Sequence, residues 1–240
     1  MKLFLSLQAV LIAITVILCF HAKSLTDNVG ITEMNSIEKI HQSDCDYIAV
    51  IHDTEELDDR FTQFDRENAD LGTQTYGTAI FIGTPKDSFS FSNSSTFCTI
   101  DVDKVIKGNI KTKSINVEIK GGFYYETESE HMERLSDAKD MEIETPAERL
   151  FTFDLGGMNF MNPGKKYLII SQTLDLGDKT FYRINGYMIS WLCLDKTESK
   201  IMKTEYVYSD CFDNEIFTPE QEIIEAFYSK KESILNKYCK

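Results

Sequence analysis

Few side chains in this chain are placed for chemistry, and they are scattered. His41, His52 and His131 follow the N-terminal apolar run, and none stands in an H-E-x-x-H or H-x-H spacing. Each reads as a surface or packing residue rather than a metal ligand. Asp101 and Asp103 occupy alternate positions, with Lys104 and Lys107 nearby. Two carboxylates so placed can share acid–base work, but a strand with one wet face produces the same pattern. No serine or cysteine sits in a nucleophile elbow or beside an evident base. No catalytic constellation, cofactor fingerprint or metal motif results, and the expectation is a protein that is not an enzyme and carries no cofactor.

Cys45, Cys98, Cys193, Cys211 and Cys239 are widely spaced, without the C-x-x-C pairs of a zinc site. Cys98 and Cys193 have apolar neighbours two residues away and read as small buried hydrophobes. A Cys211–Cys239 bridge would tie the last helix down, although spacing alone does not fix connectivity. Asn93-Ser94-Ser95 is a glycosylation sequon if the source is eukaryotic. The aromatics Phe89, Phe91, Phe123, Tyr124 and Tyr125 fall at expected loop ends. There they form a binding surface or close the end of a barrel, and the sequence allows both.

The elements that position these residues begin after Ser24. Lys2, the apolar run Leu3–Phe20 and the small residues Ala22 and Ser24 have the layout of a secretion signal over residues 1–24. An uncleaved anchor and a lipid-bearing Cys19 are the competing readings. About 216 residues then remain, enough for a real core. The formal charge of −14 argues against nucleic-acid binding, which needs a basic stripe.

Residues 25–75 are polar and acidic, with two short helices capped near Ser36 and at Asp53 or Thr54, and the apolar run "DYIAVIH" between them. From Tyr76 the period changes to two. "YGTAIFIGT" reads as a strand ending before Pro85, and "KDSFSFSNSS" as a turn. In "TFCTIDVDKV", Cys98, Ile100 and Val102 face one way, while Phe97, Thr99, Asp101 and Asp103 face the other. In "KSINVEIKGG", Ile115, Val117 and Ile119 oppose Asn116, Glu118 and Lys120. Lys107-Gly108-Asn109 turns the chain between them, and Gly121-Gly122 bends it after the second.

Residues 124–148 hold nine acidic side chains and read as a solvated insertion; they lack the D-x-D-x-D-G pattern of a calcium loop. Strands resume at "RLFTFDL", "KKYLIISQTL", "TFYRIN", "YMISWLCLD" and "IMKTEYVYS". Thr218-Pro219-Glu220-Gln221 opens a final helix whose stripe is Ile223, Ile224, Phe227, Ile234, Leu235 and Tyr238. The resulting division is an acidic segment 25–75, a β-barrel 76–210 with insertion 124–148, and a helix within 211–240.

The order of four motifs resembles the secreted domains of tissue inhibitors of metalloproteinases and netrin modules. These motifs are Phe81 to Gly83, Val102 to Gly108, Val117 to Gly122 and Gly164 to Leu168, within residues 76–195. The resemblance implies a mainly β protein built on an OB-like antiparallel Greek-key barrel, with an N-terminal helical segment and a C-terminal helix. It does not extend to the inhibitory wedge of that family, an N-terminal cysteine that chelates zinc, because Cys45 lies well inside the chain. The functional expectation is a secreted or membrane-tethered module that binds an extracellular protein or glycan, touching a membrane only through its N-terminal segment. A protease inhibitor acting through a loop and a hydrolase with an unrecognised site are the alternatives.

Overall fold

The computed structural model describes residues 47–65, 76–92, 95–127, 149–175, 179–203 and 213–239. The protein is mainly β, a five-stranded mixed barrel that carries, among the described residues, a short N-proximal helix and a C-terminal helix. The barrel strands are β2 (Tyr76–Ser92), β3 (Ser95–Lys107), β4 (Ser114–Lys120), β7 (Tyr167–Asp175) and β8 (Thr180–Asn185). They run in the order β2-β3-β4-β8-β7, and β7 pairs with β2 to close the ring. One edge of β7 holds β2. Its other edge is shared by β8 at Gln172–Asp175 and the short β9 (Trp191–Cys193) at Tyr167–Ile169.

The expected all-antiparallel barrel is corrected at one joint, because β4 and β8 are parallel, with Val117 opposite Tyr182 and Lys120 opposite Asn185. Parallel neighbours need a long crossover. Here the chain leaves the barrel after β4, builds a second sheet, and returns through β7 before β8 is laid down. That second sheet contains β1 (Tyr47–Ile48), β6 (Arg149–Asp154) and β5 (Gly122–Thr127), in the order β1-β6-β5. The expected insertion 124–148 therefore begins inside β5, and residues 128–148 lie outside the described residues.

The alternation in β3 and β4 is a burial pattern. Cys98, Ile100, Ile115, Val117 and Ile119 are buried in one core with Leu168 and Trp191, while Phe97 faces out. Burying each such aliphatic or aromatic side chain contributes about 1.5–3 kcal/mol. Gly121 and Gly122 turn the chain from β4 into β5 at φ of 105° and 136°, which L side chains rarely adopt. A Cβ on Gly122 would also meet the Thr96 hydroxyl at 2.2 Å.

Three further expectations are corrected. First, β2 does not end before Pro85 but runs to Ser92 with register shifts on either side of that residue. Its pairing with β7 stops at Gly83, so Pro85 lies where, among the described residues, β2 has only β3 as a ladder partner, and its missing N–H interrupts less. Second, α2 (Gln221–Tyr238) starts later than the Thr218 signal suggests. Thr218 is buried, and its carbonyl accepts the Met202 N–H at 3.0 Å, which holds it outside the helix. Its hydroxyl instead accepts the Glu220 N–H at 3.1 Å. Third, residues 201–203 of the expected strand "IMKTEYVYS" are not in a strand, and the remainder lies outside the described residues.

The N-proximal helix α1 (Thr54–Asp65) is capped as its sequence implies, with the Asp53 carboxylate accepting the Glu56 N–H at 2.7 Å. Leu57 and Phe61 are its buried face. Phe61 meets Phe227 of α2 at a centroid distance of 5.7 Å, and Asp58 pairs with Lys230. Among the described residues, no helix is long and apolar enough to cross a membrane.

Candidate functional site

The five aromatics singled out by sequence lie in strands rather than loops. Phe89 and Phe91 are on β2, and Phe123, Tyr124 and Tyr125 on β5. The structure brings three of them together. Phe91 meets Phe123 edge-on at 5.7 Å, and Phe89 and Phe123 each meet Phe160, at 5.6 and 5.7 Å. Phe153 completes the cluster, 4.9 Å from Phe123 and 5.0 Å from Phe160. Phe89, Phe123, Phe153 and Phe160 are all buried, so the rings join the second sheet to the barrel and do not form an open surface. Tyr124 is buried as well, with its hydroxyl 2.7 Å from that of Tyr187. Phe160, the centre of the cluster, was missed because "GGMNFMNPG" carries no strand period.

A second constellation lies under α2, at residues that carry no recognisable sequence motif. Lys231, on the buried stripe of the helix, places its ammonium 2.5 Å from Glu215 Oε1 and 3.2 Å from Thr197 Oγ1. Glu215 also accepts the Thr197 hydroxyl, and its Oε2 accepts the Cys193 N–H at 3.1 Å. Beside it, the Tyr228 hydroxyl accepts the Ser199 N–H at 2.8 Å, and Ser199 Oγ accepts the Glu215 N–H at 3.0 Å. Burial, and then the Glu215 charge, push the Cys193 thiol up. Burial likewise raises Tyr228. A thiol held protonated in this way is a poor nucleophile. The adjoining cleft, lined by Asn162, Tyr167, Trp191 and Thr197 among others, holds about 10 Å³, the room of a single water.

The third constellation is on the outside of the barrel. Pairing aligns Phe97 of β3 with Glu118 of β4, and Glu118 with Arg183 of β8. Glu118 Oε1 accepts Ser95 Oγ–H and Lys120 Nζ–H, each at 2.8 Å, while Oε2 accepts Arg183 Nε–H at 2.8 Å. Partial burial alone would raise this carboxyl, but the bonds from Lys120, Ser95 and Arg183 outweigh it and bring the pKa down to about 2. Thr99 Oγ1 donates to Asn116 Oδ1 at 2.8 Å in the next row. On either side of β4 stand two exposed rings, Phe97 at 42% and Phe181 at 52% exposure. The sequence placed Phe97 on a wet face but gave no reason to pair it with Phe181, 84 residues later.

Asp101 and Asp103 are both on β3, where Lys86 bridges to Asp101 at 3.1 Å and Lys166 to Asp103 at 3.3 Å. They are surface ion pairs. Cys98 is buried and desolvation pushes its thiol up to about 12, while Cys239 is an exposed free thiol. Cys45, Cys211, Asn93, His41 and His131 lie outside the described residues. Among the described residues, no three His, Cys, Asp or Glu side chains gather as a metal set. No protein family, curated protein or solved structure matches the chain, so the likeness to metalloproteinase inhibitors and netrin modules has no family match behind it.

Proposed function

We propose that this protein is a secreted or membrane-tethered, non-catalytic binding module on an OB-type barrel, and that it meets an extracellular protein or glycan with the outer face of β3, β4 and β8. The observation that carries the reading is the pair of exposed rings, Phe97 and Phe181, standing over a fixed polar network on three adjacent strands. Large exposed aromatics grouped with positioned polar groups are a recognition feature. The OB assignment is supported by strand order: taken along the chain, the five barrel strands close as first, second, third, fifth, fourth. Ligands of OB barrels meet the second and third strands, which here are β3 and β4. The apolar run Leu3–Phe20 supports export or tethering.

A hydrolase would draw on the groups converging under α2, but Lys231, Glu215 and Thr197 are bonded to one another. The observations therefore favour the outer face. The test is affinity capture from extracellular material with the wild-type protein and the Phe97→Ala/Phe181→Ala variant. The wild type retains a partner that the double variant loses. Equal retention by both proteins would remove this face from the function.

A further inference from the structure

Resting on that reading, we infer that the outer face of β3–β4–β8 binds a neutral oligosaccharide. Three features of the face select this class. First, β4 is paired along both edges, with β3 and with β8. Its backbone is spent, so a peptide cannot add as a strand and only side chains read the ligand. Second, the middle of the face is charged and the rings stand at its margins. Protein interfaces have the reverse arrangement, with charge depleted from the centre.

Third, the charges are largely offset, leaving one net positive charge in the Glu118 network. Glu118 neutralises one of its two cationic neighbours and hydrogen-bonds both, and Lys86 offsets Asp101 further along β3. Within a chain of net charge −14, this leaves little attraction for a polyanion. What remains is two exposed aromatic rings, separated by hydroxyl, amide and carboxylate groups held in place by one another. A pyranose has the matching chemistry, with C–H faces for the rings and hydroxyls for Asn116, Thr99 and Glu118.

The spacing indicates an oligomer rather than a single sugar. Phe97 and Phe181 lie two strands apart and are offset along them by about two residues, which separates them by roughly 12 Å. No single ring spans that distance, so the two aromatics meet different units of one chain. The Glu118 network between them fixes the polar side chains before the ligand arrives, which lowers the ordering cost of binding.

The experiment titrates the full chain with hexasaccharides of glucose, mannose, galactose and N-acetylglucosamine, with a heparin hexasaccharide as the acidic probe, followed by calorimetry and amide chemical shifts. At least one neutral probe is expected to saturate. Phe97→Ala and Phe181→Ala are each expected to weaken it roughly three- to tenfold, and Phe97→Tyr and Phe181→Trp to retain it. The inference is overturned if no neutral probe saturates, if only heparin binds, or if the alanine variants bind like the wild type. A protein partner captured by the wild type and lost by the double variant would sink the sugar but keep the face. Capture unaffected by both substitutions would sink both.

Discussion

The outer face of the barrel and the buried junction under α2 are built from the same parts. Each centres on a glutamate that receives a lysine and a hydroxyl, Glu118 with Lys120 and Ser95, and Glu215 with Lys231 and Thr197. They differ in depth. The side chains of Lys231 and Glu215 are 7% and 8% exposed, whereas Lys120 and Arg183 reach 35% and 55%. Depth decides what the same chemistry does. In the interior, an ion pair has to be complete or it is very costly. At the surface, water screens each charge, and the network serves to hold side chains in position for something else.

The largest test of this contrast is at Glu215. Glu215→Ala leaves the Lys231 ammonium buried without its carboxylate and is expected to cost about 3–5 kcal/mol. The double variant Glu215→Leu with Lys231→Met removes both charges and is expected to recover most of that loss. Urea denaturation of the two proteins measures the difference. A single variant as stable as the double would show that the pair is not buried in solution.

Aromatic residues repeat the contrast. Phe123→Ala opens a hole among Phe91, Phe153 and Phe160 and is expected to destabilise by about 3–5 kcal/mol. Phe97→Ala removes an exposed ring and is expected to change stability by no more than about 0.5 kcal/mol. Thermal melts would separate the two. Similar losses for both would mean that Phe97 is covered.

Much of the barrel was legible because a half-buried strand writes its two faces into alternate residues. Ile100, Ile115, Val117 and Ile119 announced their burial, and the Lys107–Asn109 and Gly121–Gly122 turns announced where the chain bends. Strand direction across the sheet was not legible. That β4 and β8 run parallel depends on the route the chain takes through the second sheet, and no local pattern records it. Position relative to water was not legible for the aromatics either, which the sequence allowed to be exposed or enclosed. Phe89 and Phe123 lie beside turn-forming residues, yet they are enclosed by Phe160, whose own neighbourhood has no period. The Lys231–Glu215 junction was hidden for a related reason. A lysine among helix charges looks solvated until the helix is docked, and only docking brings Glu215 and Thr197 to it. Phe97 was readable as outward-facing, but its partnership with Phe181 exists only through the register of β3, β4 and β8.

A small effect is also expected at Glu118, where direction is more informative than size. Its carboxyl titrates at about 2 in the folded chain, against an ordinary value of 4.5. A depressed folded pKa means that the unfolded chain binds a proton first as pH falls. The network's contribution is therefore complete above about pH 4.5 and is lost progressively as pH drops through the folded value near 2. Because Lys120 and Arg183 remain in contact with water, the contribution at neutral pH is about 1 kcal/mol at most. Glu118→Gln keeps the shape and removes the charge, so its stability is expected to fall less steeply than the wild type's between pH 4.5 and 2. Denaturation midpoints collected across that window would show the two curves converging toward the acid end. Parallel curves would mean that Glu118 is not held by its neighbours, and the face would lose the rigidity that makes it a binding surface.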